Sequence, residues 1–371
     1  MKKYFALLLC SSLLLASCKE EVVVNQKVVE EEKAEETMAL QEVVIEEEEE
    51  EVIEESKAPE GMYFSELTGL PISLSLQNQR PIAVMVDNEI LAYPHFGVAE
   101  ADVVYEMINS LHNDRITRLM ALVKDWGSIQ QMGSIRSTRD TNIDLQAEWN
   151  SILCHDGASA ISLPRFEKGY ASQHISGTFS RVANGKATEF TEYILPGDLE
   201  ANIAAMNIDR EYNAFKPNVE THFQFVKYEG EEANLAEDLR TVNHVALPFP
   251  HNGSELRYNA DTKTYDYYCY GSIHVDGEDN EVLSFKNVIL QNIDMINTDG
   301  AGGHVAYNLI DSGKNGYYLS NGRLQEITWE KKDEMDITRY YDSEGNELQI
   351  NRGNVYIGLV PTDSWANLII E

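Results

Sequence analysis

Tyr4 to Ala16 form an almost unbroken apolar run behind Lys2 and Lys3, and regular apolar patterns return only beyond residue 56. Pro81 to Asp87 and Asp102 to Met107 are mostly apolar runs of strand length, and Ile116 to Val123 is a third. Each predicts a buried strand. Thr138-Arg139-Asp140 precede Ile143, Ala147 and Trp149, which predicts a capped helix, and Ser151 to Cys154 return as a strand. Pro196-Gly197-Asp198 open a second helix with Leu199, Ile203 and Met206 on one face. Phe223, Phe225 and Tyr228 predict a strand that closes this part.

Glu229 to Asp238 are polar and acidic and read as a link. Beyond it, turn signals recur at strand spacing. Asn259 to Thr264 separate Leu256-Arg257-Tyr258 from Tyr265 to Tyr268, and Asn321-Gly322 separate Tyr317-Tyr318-Leu319 from Leu324 to Trp329. Asn-Gly suits a two-residue hairpin because both residues tolerate positive φ. Glu344-Gly345-Asn346 and Asn351 to Asn354 repeat the device before Val355 to Val360. The expected class is α+β: a mixed α/β N-terminal part (57–235), then a mostly antiparallel β C-terminal part (236–371).

The N-terminal run is too short to span a bilayer, which takes about 20 residues. It ends in Leu15-Ala16-Ser17-Cys18, the layout of a lipoprotein signal peptide over residues 1–17 with lipidation expected at Cys18. Residues 18–56 are then an acidic, lipid-anchored linker. From Lys19 to Ser56 sixteen glutamates face three lysines, with no Gly, Pro or aromatic residue, so no core can form there. The expected location is the extracytoplasmic face of the cell membrane, held by lipid. Of the formal net charge of −33, −22 remains on the body, which argues against nucleic acid as a partner. An envelope protein, peptide or cell-wall fragment is the expected partner.

Cys154 and Cys269 are the cysteines left in the body, either as a disulfide or as two buried thiols. No CxxC, HExxH or glycine-rich phosphate loop is present, so neither metal nor cofactor is expected. Three further groups of motifs follow in register. The first is Leu67-Thr68-Gly69-Leu70-Pro71, Arg80 to Asn88 and Ala101 to Glu106; the second is Arg115 to Arg118, Gly133 to Arg139 and His155-Asp156-Gly157. The third is Asn287-Val288-Ile289, Gly302 to Tyr307, Ile327-Thr328-Trp329 and Val355-Tyr356-Ile357. In this order the chain resembles the YerB-like bacterial lipoproteins, a family with a two-part domain of unknown function. The resemblance implies location and fold type and no activity. Ser134-Ile135 and Phe179-Ser180-Arg181 depart from the family pattern.

Ionisable residues flank the predicted strands. Arg118, Arg136 and Arg139, with Ser137, Glu106 and Asn88, are candidates for binding an anion, since guanidinium forks match carboxylate or phosphate. The competing structural reading pairs these arginines with Glu106, Asp102 and Asp140. A catalytic reading takes His155 as base, Asp156 or Glu106 as its carboxylate and Ser137 as nucleophile, but no nucleophile-elbow pattern surrounds Ser137. His304 follows a flexible Gly-Gly turn, and the tyrosines from 265 to 270 read as a packed sheet face. The expected function is non-catalytic binding or stabilisation of an envelope complex, the alternative an envelope hydrolase or transferase.

Overall fold

The apolar runs of the first part become neighbouring strands. In the computed structural model, which describes residues 55–233, 236 and 238–371, they are β1 (Ile82–Asp87), β2 (Val103–Ile108) and β3 (Thr117–Val123). Cys18, the apolar leader and most of the acidic linker lie outside the described residues. All three strands are buried at every position, as expected of runs that do not alternate. Helix α1 (Asp140–Trp149), β4 (Ile152–His155), β5 (His174–Ser176) and helix α2 (Asp198–Met206) follow. The Asn142 Oδ1 accepts the Arg139 N–H at 3.0 Å to close the first turn of α1, and Asn150 at φ 48° ends it. The strand expected near Phe223 contracts to Gln224–Phe225, which pair with Gln349–Ile350.

The second part is nearly all strand: β6 (Arg240–Thr241), β7 (His244–Ala246), β8 (Glu255–Asn259), β9 (Thr264–Cys269), β10 (Asn287–Ile293), β11 (Asp311–Ser320), β12 (Arg323–Lys331), β13 (Arg339–Tyr341), β14 (Val355–Pro361) and β15 (Ile369–Ile370). Asn321 and Gly322, both at positive φ, make the predicted turn between β11 and β12.

One sheet runs through both parts. Its order is β6-β12-β11-β10-β14-β2-β3-β1-β4-β5, with β13 beside β12. β14, near the end of the chain, lies parallel between β10 and β2. The break at 235/236 therefore divides the sequence into two stretches while the sheet crosses it. The class is α+β, with parallel pairs at the seam of an otherwise antiparallel second part.

Two layers cover this sheet. On one face Trp149 of α1 donates its indole N–H to the Tyr105 hydroxyl at 3.1 Å. One residue on, Glu106 points to the other face, where Ser254 and Tyr267 of a second sheet meet it. That sheet holds β7, β8, β9 and β15, with short strands at Ser272–Ile273 and Ser284–Phe285. Asp276 ties it to the loop after β1, accepting the N–H groups of Gly97, Val98 and Ala99 at 3.0, 2.9 and 3.1 Å. Cys154 on β4 and Cys269 on β9 are both free and buried, so the bridge is not formed: they sit in different sheets. Burial pushes the Cys154 thiol up, and that of Cys269 up to about 12, so both are protonated at neutral pH.

Candidate functional site

Pairing through β3 makes β1 and β2 run the same way, and β4, β5, β10 and β14 share that direction. Their carboxyl ends therefore lie along one edge, the side on which open sheets of this kind bind ligands. At that edge β1 and β4 pair only as far as Val84 and Cys154. Beyond this point the segment before α1 is wedged between them. The Arg136 N–H donates to Met85 O at 2.8 Å, and the Asp156 N–H donates to Arg136 O at 3.0 Å. The Thr138 N–H reaches Gly157 O at 3.0 Å. Backbone bonding to two strands thus fixes where Arg136, Ser137 and Arg139 emerge.

Arg118 joins them from β3. It stands opposite Asp87 in the β1 register and opposite Met107 in the β2 register, so these three side chains share a face. Arg118 is only 6 % exposed. Its Nη1 donates to Asn109 Oδ1 at 3.1 Å and to Ser137 O at 2.5 Å, while its Nε is buried without a partner. Arg139 donates to Thr138 O at 2.8 Å, and its Nε is likewise unpartnered. Neither has a carboxylate within ion-pair distance among the described residues. Arg136 differs: its Nε lies 2.6 Å from Asp87 and its Nη1 3.1 Å from Glu189. Burial, opposed by Asp87 and reinforced by Arg139 and Arg136, lowers the Arg118 pKa to about 9. Three guanidiniums thus repel one another at one spot.

The expected pairing of these arginines with Glu106, Asp102 and Asp140 does not occur. Side chains alternate along a strand, so Glu106 faces away from Arg118 although Met107 lies opposite it. Glu106 is held by hydroxyls: Thr117 at 2.7 Å, Ser254 at 2.6 Å, Tyr356 at 2.7 Å and Tyr267 at 3.0 Å. Asn88 donates to it at 3.2 Å, so Glu106 and Asn88 belong to this buried cage and not to the arginine edge. Asp102 accepts the Lys124 N–H, and Asp140 pairs with Arg165.

Ser137 and His155 do not form a nucleophile and base. The Ser137 hydroxyl donates to Asp156 O at 2.7 Å. His155 donates from Nδ1 to Gly157 O at 2.8 Å, which leaves Nε2 to accept the Nδ1–H of His174 at 2.9 Å. Both ring nitrogens are occupied, and burial lowers the His155 pKa to about 4. Asp156 instead meets Arg181 at 2.9 Å, and Glu192 meets the same Arg181 nitrogen at 2.7 Å. Burial and the contact with Asp156 raise Glu192, so the proton of the pair sits on Glu192. His304 pairs with Asp299 at 2.6 Å, and Asp299 lies within electrostatic reach of Arg139.

Asp87, Glu189, Arg181 and Glu192 escaped sequence reasoning. Asp87 ends β1, and Arg181, Glu189 and Glu192 lie together in residues 181–192, well away in sequence from the arginine segment; Asp87 alone had a cue, as the charged end of an apolar run.

The Glu192–Asp156 pair has a pH signature. The folded state keeps the Glu192 proton that the unfolded chain releases near pH 4.5. This contribution to stability is full below that pH and is lost as pH rises through the elevated value, about 7. Urea unfolding from pH 4.5 to 7 should show this decline in the natural protein and a flatter profile in Glu192→Gln. Parallel profiles would exclude the shared proton.

Comparison with known proteins places this geometry in context. Residues 67–209 match the N-terminal domain, and residues 245–357 the C-terminal domain, of a family described as protein of unknown function DUF3048. A Bacillus subtilis (strain 168) protein named "Putative lipoprotein YerB" is 23 % identical over 320 residues, covering 82 % of this chain and 85 % of that protein. The crystal structure of YerB from Bacillus subtilis superposes with a TM-score of 0.70 at 21 % identity, covering 83 % of this chain and 99 % of that one.

Proposed function

The chain belongs to the DUF3048 family, and from that premise we propose that it is a lipid-anchored envelope protein whose arginine edge captures an anionic group of an envelope protein, peptide or cell-wall fragment. The lipoprotein name of the relative and the signal pattern over residues 1–17, followed by Cys18, support the anchor and the extracytoplasmic location. No helix among the described residues is long and apolar enough to cross a membrane.

One observation carries the binding role. Arg118 is buried, yet among the described residues no carboxylate lies within ion-pair distance of it or of Arg139 beside it. An uncompensated buried charge is costly, and a fold built for stability alone would pair it or replace it. A bound carboxylate or phosphate at this edge supplies the missing ion-pair partner. The occupied ring of His155 supports binding over hydrolysis.

The test sets affinity against stability. Arg118→Met in the full chain should weaken binding of anionic envelope fragments at least tenfold. It should leave the urea midpoint unchanged, or raise stability by about 1 kcal/mol, because an unpaired buried charge is removed. Binding that persists undiminished in Arg118→Met and in Arg139→Gln would refute the role of this edge.

A further inference from the structure

The edge of the large sheet opposite the arginines, where β1 and β14 begin and β3 ends, holds an open cavity of about 420 Å³. Small-ligand sites range from about 300 to 1,000 Å³. Its walls come from segments ahead of β1, from residues 216–227 and from Arg352, and none of Arg118, Arg136 and Arg139 lines it. A fixed carboxylate forms one wall. Glu66 lies 2.5 Å from the ammonium of Lys124, whose side chain is 1 % exposed. The Tyr212 hydroxyl donates to the same Glu66 oxygen, and the Tyr63 hydroxyl reaches the other at 3.2 Å. Phe225 forms another wall. Its backbone pairs with Ile350, and its ring lies on Gly69, where a Cβ would meet three ring atoms at 2.6–2.9 Å. The side chain at 69 is thus given up to seat an aromatic ring against the cavity.

The charges lining the cavity are engaged. Lys216 pairs with Glu220, and Lys227 lies 3.2 Å from Glu55. Arg352 donates to the carbonyls of Val226 and Lys227 at 3.0 and 3.1 Å, and its guanidinium lies 4.3 Å from the centre of the Phe64 ring. A charged ligand would have to break into one of these arrangements. The groups left open are neutral. Gln77 and Asn78 line the cavity, both are exposed, and their side-chain amides make no hydrogen bond among the described residues. An acyl chain or an apolar side chain would cover these amides and Glu66 without pairing them, at a cost in free energy. A pyranose ring meets both kinds of wall: its C–H face packs on an aromatic ring, and the hydroxyls around its rim pair with amides and a carboxylate. We infer that this cavity binds a neutral glycan. Phe225 is the platform for a sugar ring, and Gln77, Asn78 and Glu66 are the partners of its hydroxyls. The site is separate from the arginine edge and does not require it.

The test is calorimetric titration of the full chain in micelles of a sugar-free detergent. The neutral glycans are N,N′-diacetylchitobiose, cellobiose and maltose; N-acetyl-phenylalaninamide and inorganic phosphate are the comparisons. At least one disaccharide should bind with a dissociation constant of about 1 mM or tighter, and neither comparison should. Its binding should weaken at least tenfold in Phe225→Ala. The same loss should appear in the double variant Gln77→Ala/Asn78→Ala, which changes exposed positions and should melt at the natural temperature. No binding by any of the three at millimolar concentration overturns the inference. Disaccharide binding untouched by both variants, or lost in Arg139→Gln instead, places the sugar elsewhere and overturns it too. N-acetyl-phenylalaninamide binding more tightly, and requiring Phe225, makes the cavity a seat for a peptide side chain and overturns the glycan. Phosphate binding more tightly, and lost in Lys216→Met, overturns the neutral class.

Discussion

Replacing Lys331 by methionine should cost the fold about 3–5 kcal/mol, the usual loss when one member of a buried ion pair is removed. Lys331 ends β12 and Glu148 lies in α1; their side chains are 3.1 Å apart and both are fully buried. The Glu148 carboxylate also accepts from His222 Nε2 at 3.0 Å, from the Thr338 hydroxyl at 3.0 Å and from the Thr338 N–H at 3.2 Å. His222 stacks on Trp149 with ring centroids 3.9 Å apart, which fixes the direction of its N–H. Removing the ammonium leaves a charged carboxylate buried among neutral donors. Reciprocal loss in Glu148→Gln, and a double variant Glu148→Leu/Lys331→Met less destabilised than the two singles summed, would identify the pair as the cause. Urea midpoints measure this, and single variants within 1 kcal/mol of the natural protein would contradict it.

The same pair carries an acid limit. Burial alone would raise Glu148, but Lys331 and the bond from His222 overcome it and hold the carboxyl down at about 2. Its contribution to stability is complete above the unfolded value near 4.5 and is lost as pH falls through about 2.

Glu106→Ala should be comparably severe, about 3–5 kcal/mol, for a different reason. Four hydroxyls, from Thr117, Ser254, Tyr267 and Tyr356, point at one carboxyl between the two sheets. Each buried donor left without an acceptor costs about 1–3 kcal/mol, softened where a hydroxyl turns to another partner. Ser254 and Tyr267 have that option, lying 3.1 Å apart, and Thr117 has Asn252 at 2.9 Å. Tyr356 has no second bond of its own among those described, so most of the loss should fall there. Tyr356→Phe in the Glu106→Ala background should recover part of it. No recovery would show that packing, and not the orphaned hydroxyl, sets the cost.

These two clusters show how far the sequence could be read. Strands β1 to β3 were legible because an apolar residue at nearly every position admits burial on both sides and little else. Helix α1 and the Asn321-Gly322 hairpin were legible because a cap and a turn are chemistry between residues close in sequence. The arginines were legible as a cluster because Arg136, Ser137 and Arg139 are neighbours in the chain. Their partners were not: Asp87, Glu189 and Arg181 lie in other segments and come close only when strands splay and a loop fills the gap. Glu106 was assigned to the arginines because it ends the same predicted strand region, yet the two-residue period of β2 turns it to the opposite face.

Local chemistry therefore determined, from sequence alone, the expected lipid address at Cys18, the α+β class, most elements of the first part and the candidate role of Arg118, Arg136 and Arg139. Tertiary structure decided the rest. It placed β14 beside β2 so that the two stretches share one sheet, kept Cys154 and Cys269 apart, and filled both nitrogens of His155. It also left Arg118 and Arg139 without a carboxylate at ion-pair distance among the described residues. The reason is physical: propensity and period act between near neighbours, whereas neutralising a buried charge depends on which distant segment arrives beside it.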